Sequence, residues 1–398
     1  MRVLHVIRQV TRGGGTLGVL AQCRAVPACH QVLSLRPPSD PAAVAPLEQA
    51  GVAVRWGEGW REAVEGADVV QLEWWNNPEI NDFVANAGLP PCRLLLHSRA
   101  HFDAPWMCPS VALLARVDAC TVTTPGAALN PAFEANRRRA GLPPARCVFS
   151  AAGDPGARRA PGREGPVVFG YHGTVEPIKL HPRFLEIARR VLDAVPDAEF
   201  RFAGEGTLDE YRDHARRLGI GERVSFPGFV DDVGGFLAGV DVFFYPISPW
   251  TYATSEKALQ EAMLAGLPCV VFPHGGIRDL ASPLSAVVAR DEEAFARGCV
   301  RLARSARLRA RLGERSARRI RAFACRRSFR DDLRAAWAGV MAAPRRPRPA
   351  LGVPREALFE WATDPAGLRP APRSEADRAA CRQVAAFVEE GYREWLGS

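Results

Sequence analysis

Twice along the chain, short apolar runs alternate with stretches of helical periodicity. In the first series RVLHVI (2–7), HQVLSLR (30–36), VAVRW (52–56), ADVVQLEW (67–74), CRLLLHS (92–98) and DACTVTT (118–124) read as strands. A glycine-rich loop, TRGGGTLG (11–18), a helix near 17–26 and a helix at AVAPLEQAG (43–51) separate the first three. In the second series VVFGYHG (167–173), AEFRFAGEG (198–206), RVSFPGFV (223–230), VDVFFYP (240–246) and CVVF (269–272) alternate with helices at 181–194 and 208–218. Apolar runs without polar alternation suit strands buried on both faces, and strand–helix–strand order builds parallel sheets through right-handed crossovers. The pattern therefore constrains the fold to the α/β class, with two Rossmann-like parallel sheets.

At 398 residues the chain is too long for one ordinary core. The segment GDPGARRAPGREGP (153–166) has no periodicity and reads as a linker. The expected organisation is an N-terminal domain (1–152), the linker (153–166) and a C-terminal domain (167–328). A helix then returns toward the N-terminal domain (329–343), and a proline-rich connector with a helical extension ends the chain (344–398). In that extension Val384, Phe387, Val388, Tyr392 and Trp395 form an apolar stripe at helical spacing.

A hydrophobic share of 47% and a charged share of 24% are those of a globular protein, and no run approaches the roughly 18 apolar residues of a membrane span. The opening MRVLHVIRQV lacks the layout of a cleavable signal. Ten scattered cysteines, with no CxxC and no Cys/His cluster at metal-ligand spacing, read as reduced thiols of a cytoplasmic protein that holds no metal. The net charge of +8 concentrates in RLARSARLRARLGERSARRIRAFACRRSFR (301–330). There Leu302, Leu308, Leu312, Ile320 and Phe323 form the buried side of helices. The outward arginines are either a solvated face or a weak attraction to an anionic membrane surface or acidic substrate. No aromatic-studded basic groove accompanies them, so nucleic acid is not an expected partner. Oligomeric state is not readable. Lysine occurs only at Lys179 and Lys257, where a compact ammonium replaces the otherwise general arginine.

Lys257 lies in SEKALQEAMLAGLPCVVFPHGG (255–276). Thr254 or Ser255 can cap a helix here, with Glu256 in its first turn, while Gly266 and Pro268 end it before the strand CVVF. Ligands of parallel sheets bind beyond the strands' carboxyl ends, where helix N–H groups attract anions. Ser255, Lys257 and the turn Gly275–Gly276 occupy those ends. The strand end after Glu73 carries Trp74, Trp75, Asn76 and Asn77, which suit sugar or acceptor binding, although both tryptophans also read as core.

Five segments in order, GYHGTVEPIKL (170–180), FRFAGEG (200–206), VSFPGFVDDV (224–233), VDVFFYPI (240–247) and EAMLAGLPCVVFPHGGIRDL (261–280), resemble the donor domain of retaining, family 4 (group 1) glycosyltransferases. The resemblance implies a GT-B fold, two Rossmann-like domains facing a central cleft. It implies transfer of a sugar from a nucleotide-diphosphate sugar (UDP, GDP or another base) to the hydroxyl of a saccharide, lipid-linked sugar or small metabolite, with no further cofactor. Lys179 corresponds to a lysine on the donor diphosphate, and Glu261 to a glutamate on the ribose diol, whose two hydroxyls suit two acceptor oxygens. Gly275 and Gly276 adjoin the sugar or phosphate, and Gly204, Phe229 and Val230 the nucleoside. Gly14 and Gly15 let the first loop approach the substrates. The family's first motif glutamate would fall at Ala253 and a basic residue at Thr174. Lys257 then supplies the second phosphate charge, and Glu256 stands in on the sugar hydroxyls. His97 is the candidate beside the reacting carbon, with Arg99 and His101 as alternatives of register. Glu73, Trp75, Asn76 and His101 are candidate acceptor residues. A non-catalytic GT-B-like binding protein, and a sugar-nucleotide epimerase or phosphorylase, remain open alternatives.

Overall fold

The computed structural model describes residues 1–156, 165–251, 254–325 and 328–363, together with Arg378, Arg382, Ala386, Glu390 and Tyr392. These fall into two units. Unit 1 takes residues 1–150 and 328–363 with Ala386, Glu390 and Tyr392; unit 2 takes 151–156, 165–251 and 254–325 with Arg378 and Arg382.

Unit 1 begins with β1 (Arg2–Ile7), β2 (Cys29–Ser34), β3 (Ala53–Trp56), β4 (Val69–Trp74) and the short β5 (Leu89–Cys92), followed by β6 (Leu94–Ser98), β7 (Ala119–Val122) and β8 (Arg146–Cys147). All but β5 form one parallel sheet in the order β3-β2-β1-β4-β6-β7-β8. β4 is buried at every residue, as expected of a strand covered on both faces. The helix Phe329–Met341, capped by Ser328, lays Leu333, Ala336, Trp337 and Val340 against Val3, Val69 and Leu95.

Two expectations for this unit need correcting. The glycine loop is shorter than its spacing suggested: the helix starts at Gly14 and runs to Ala25, so Gly14 and Gly15 lie in its first turn. A close approach explains Gly18 and Gly15, where a Cβ would lie 1.9 Å from Arg99 Nη1 and 3.1 Å from Trp75 Cη2, whereas one on Gly14 would meet nothing within 4 Å. The proline-rich segment after residue 344 is more than a connector. Its Arg346–Arg348, here β15 once unit 2's six strands are numbered, pairs antiparallel with β5. Arg348, buried, donates to Asp118 Oδ2 (2.5 Å) and to Cys92 O (2.9 Å), while Arg346 donates to Asp118 Oδ1 (2.9 Å). A carboxylate with two acceptor oxygens thereby clamps two guanidinium groups. Of the apolar stripe in the extension, Tyr392 is described and buried; Val384, Phe387, Val388 and Trp395 lie outside the described residues.

Unit 2 carries β9 (Val168–His172), β10 (Glu199–Ala203), β11 (Val224–Gly228), β12 (Val242–Tyr245), β13 (Cys269–Val271) and β14 (Val287–Val288). They form a second parallel sheet in the order β11-β10-β9-β12-β13-β14. Its core is aromatic: Phe169 stacks on Phe200 with centroids 4.8 Å apart, and Phe244 meets Phe200 and Phe295 edge-on. The arginine-rich region folds as helices Glu292–Ala303 and Ala306–Cys325, which bury Leu302, Leu312 and Ile320 and leave Leu308 and Phe323 half-buried. No helix among the described residues is long and apolar enough to cross a membrane. Linker residues 157–164 and Ala253 lie outside the described residues.

Candidate functional site

In unit 2 the loops after β9 and β12 run side by side. Ser248 N donates to Lys179 O (2.9 Å) and His181 N to Pro246 O (2.8 Å). This pairing carries Lys179 to the carboxyl end of β12. There its ammonium donates to Glu256 Oε2 at 2.8 Å and lies 5.4 Å from the centroid of the Tyr245 ring. The Tyr245 hydroxyl donates to the same oxygen. Burial, followed by the charge of Glu256, pushes the Tyr245 phenol well above its ordinary pKa, so it remains a donor. Glu256 Oε1 is buried and accepts no hydrogen bond among the described residues.

Glu256 does not occupy the first helical turn, as its position had suggested. The helix is Lys257–Leu264, and Glu256 is its N-cap in the left-handed region (φ 45°, ψ 55°) with no side-chain capping bond. Such a backbone costs a non-glycine residue about 1–2 kcal/mol. Here it turns the carboxylate inward, where Lys179 and Tyr245 hold it. A residue so strained and so engaged is a candidate for a functional site.

Glu261, one turn along the helix, puts Oε2 3.4 Å from His172 Nε2. Desolvation raises the Glu261 pKa to about 7 against the opposing field of Lys257. Burial lowers His172 to about 4, a hydrogen bond that the ring donates to the Ala258 backbone opposing and Lys179 adding to the fall. Near neutrality the imidazole is therefore uncharged and the carboxyl half-protonated, so the two do not form an ion pair. Lys257 Nζ donates to Ala151 O (2.5 Å). Buried Gln260 accepts from Ala152 N (2.8 Å) and donates to Ser255 O.

The other candidates of this unit have plainer settings. Thr174 accepts Tyr171 OH at its carbonyl (2.7 Å). Gly204 has φ 145°, and a Cβ there would meet Gly173 O at 1.8 Å. Phe229 is 63% exposed and Val230 half-buried, directly after β11. Gly275 (φ 50°) makes the turn after β13, and Gly276 caps the short helix Ile277–Leu280. Sequence reasoning missed Tyr245, His172 and Gln260. The signal was a tyrosine and a histidine closing otherwise apolar strands, where a polar atom needs a partner.

In unit 1 the candidates fall into two networks. Glu73, fully buried, accepts at Oε1 from Gln71 (2.7 Å) and Gln22 (3.1 Å), with His5 Nδ1 at 3.2 Å, and at Oε2 from Arg99 Nε (2.5 Å). Burial opposes its charge, but Arg99 and then His97 and His5 hold it well below the usual carboxylate range. Arg99 also lies 5.3 Å from the centroid of the half-buried Trp75 ring, whereas Trp74 is core. His97 Nδ1 meets Thr121 Oγ1 at 2.7 Å; burial, only partly offset by Glu73, lowers its pKa to about 4. His101 is buried with Nδ1 3.2 Å from Asp103.

The second network holds Asn76, another non-glycine residue of positive φ (58°). Its amide donates to Trp106 O (2.7 Å) and accepts from Asn81 (2.8 Å) and Tyr392 OH (3.0 Å). Glu73 and Asn76 are thus engaged by internal partners, which leaves neither side chain open to an acceptor in this conformation.

Residues 166–305, which include Lys179, Tyr245, Glu256 and Glu261, match the family model of Glycosyl transferases group 1. Over 94 residues the chain is 35% identical to the Vi polysaccharide biosynthesis protein VipC/TviE of Salmonella typhi, covering 23% of this chain and 16% of that protein. Over 98 residues it is 33% identical to the sulfoquinovosyl transferase SQD2 of Arabidopsis thaliana, covering 24% of this chain and 18% of that one. The chain thus spans less than a fifth of the length of these curated relatives. Among solved structures, Alr3699/HepE of Anabaena in complex with UDP aligns with a TM-score of 0.64 at 14% identity, over 82% of this chain and 98% of that one. Two parallel-sheet, Rossmann-like units and this likeness define a GT-B fold. Within it, residues 166–305 are similar to the group 1 glycosyl transferase model.

Proposed function

We propose that this chain is a retaining glycosyltransferase of the family 4 type, which moves a sugar from a nucleotide-diphosphate sugar to an acceptor hydroxyl. The observation that carries the reading is the Lys179–Glu256–Tyr245 cluster inside the segment matched to group 1 glycosyl transferases. It stands at the carboxyl ends of β9 and β12, where parallel sheets bind ligands. Lys179 offers a compact cation to the diphosphate. Glu256, whose Oε1 has no partner among the described residues, accepts from a hydroxyl of the transferred sugar. Glu261 accepts from the ribose diol, and Lys257 with the helix N–H groups completes the anion site.

As the anomeric C–O bond to the diphosphate breaks, negative charge grows on the leaving oxygen. Preorganised cations stabilise it, and losing one such partner typically costs about 2.7–4 kcal/mol. The acceptor oxygen bonds to the anomeric carbon on the same face, and its proton passes to the departing diphosphate. No further cofactor enters this scheme. Unit 1 is assigned the acceptor, with His97, neutral near pH 7, as its positioning residue. His97→Ala is expected to lower turnover more than nucleotide affinity. The reaction is read as cytoplasmic, and the exposed arginines of helix Ala306–Cys325 as a weak attraction to anionic membrane.

UDP is the first base to test, since Alr3699/HepE has been solved with UDP and with UDP-glucose. The test is thermal shift of the purified protein against UDP, GDP, ADP, dTDP and their sugars, followed by transfer assays. A ligand at 100 times its Kd adds about 2.7 kcal/mol of stability. A shift with one nucleotide together with sugar transfer supports the reading. Binding without turnover favours a non-catalytic protein, and a shift with none overturns the donor site.

A further inference from the structure

Within unit 1, three side chains converge that no spacing in the sequence connects. His5 comes from β1, Cys23 from the helix Gly14–Ala25 and His30 from β2, and all three are buried. His5 Nε2 lies 3.2 Å from His30 Nδ1 and 3.9 Å from Cys23 Sγ. The three donor atoms all lie within 4.8 Å of one another.

The outer nitrogens of both rings are already engaged. His5 Nδ1 faces Glu73 Oε1 at 3.2 Å, and His30 Nε2 faces the Val26 carbonyl at 2.8 Å. A carboxylate and a carbonyl only accept, so these contacts put the N–H on His5 Nδ1 and on His30 Nε2. With both rings neutral, the inner nitrogens, His5 Nε2 and His30 Nδ1, turn lone pairs toward each other across 3.2 Å, beside a thiol. Two lone pairs at that distance repel unless something positive lies between them.

The geometry points to a binding site for a thiophilic d10 cation, Zn2+ or Cu+, held by His5 Nε2, His30 Nδ1 and the Cys23 thiolate. An ion about 2.0–2.1 Å from each nitrogen, with a tetrahedral angle between them, sets those nitrogens about 3.3 Å apart. The observed 3.2 Å between the nitrogens is close to that, and Cys23 Sγ, 3.9 Å from His5 Nε2, would move inward to complete the set. A mixed imidazole–thiolate set favours these two ions over harder cations. The outer partners are of the kind that orient histidine ligands, a carboxylate on one ring and a backbone carbonyl on the other. Glu73 is itself held by Gln22, Gln71 and Arg99, and Gln71 accepts from Trp337 Nε1 at 2.8 Å. The Trp337 ring covers both imidazoles, with centroids 6.3 Å from His5 and 5.7 Å from His30. Arg99 balances Glu73, so the thiolate is the anion left to meet the cation. Cu+ is satisfied by three donors, whereas Zn2+ takes a fourth.

The test is on the purified full chain and is independent of any sugar transfer. Plasma mass spectrometry of protein expressed with zinc or copper, after desalting under reducing conditions, is expected to find stoichiometric metal in the parent and none in Cys23→Ser. Cobalt(II) added to the metal-depleted parent is expected to give a thiolate-to-cobalt charge-transfer band that His30→Gln weakens. The band is read on the parent itself, so a variant that fails to fold does not decide the matter. Retained zinc with tetrahedral cobalt bands assigns Zn2+; retained copper released by a copper(I) chelator assigns Cu+. A parent that retains neither ion and gives no charge-transfer band overturns the site and leaves a shared proton between the rings.

Discussion

Each unit buries a glutamate at the carboxyl end of its sheet, and the two are treated oppositely. Glu73 has both oxygens partnered by His5, Gln22, Gln71 and Arg99 on a β-strand backbone. Glu256 has Lys179 and Tyr245 on one oxygen, a second oxygen without a partner among the described residues, and a left-handed backbone. A saturated buried carboxylate ties elements together. A half-satisfied one on a strained backbone stores an unmet demand that a ligand hydroxyl can answer. The difference separates scaffold from proposed site within one chain.

The sharpest way to break this comparison is Glu73→Ala. It leaves Arg99 without its carboxylate partner and should cost about 3–5 kcal/mol of stability, read by denaturant unfolding. An unchanged midpoint would mean that the network is not structural. Next, Lys179→Ala should lower sugar transfer about 100- to 1,000-fold in a steady-state assay. It also strands Glu256, so the melting temperature should fall in the same variant. Activity retained near the parent's would remove Lys179 from the chemistry. Glu261→Ala comes third, with an expected loss of about 1.5–3 kcal/mol in nucleotide binding by calorimetry and little change in stability. A variant that binds every nucleotide as the parent does would sink the ribose assignment.

The smallest effect is the pH dependence. Burial raises the Glu261 pKa from 4.5 to about 7, so the folded protein binds the extra proton between those values. This group's contribution to stability is therefore greatest below 4.5 and falls as pH rises toward 7. The ionised form is the better acceptor for a diol, so nucleotide affinity should rise as pH passes through about 7. Glu261→Gln should flatten that profile. A parent profile already flat would show that the carboxylate does not meet the ligand.

Several elements were legible from local pattern. RVLHVI is β1 to the residue, and the helix expected over 329–343 is Phe329–Met341. Both are amphipathic or apolar runs bounded by clear stops, where neighbours in sequence decide the outcome. The start of helix Gly14–Ala25 was misread because glycines usually signal a loop, whereas here Gly15 and Gly18 leave room for Trp75 and Arg99. The pairing of β15 with β5 was hidden among prolines and arginines, because a short edge strand carries no period to detect. At the proposed donor site Lys179, Glu256 and Glu261 stood out as residues. Their grouping with Tyr245, and a Glu256 oxygen without a partner among the described residues, did not.

The sequence by itself determined two α/β series, their parallel strands and the positions of the charged residues that close them. Hydrophobic period and turn chemistry act over a few residues, and that is the range they can specify. Only the tertiary structure decided that Glu256 leaves its helix to meet a lysine 77 residues away, and that His5, Cys23 and His30 share one buried point. Such contacts arise where strands are laid side by side, and a carboxylate or an imidazole carries no local mark of which partner the sheet will bring to it.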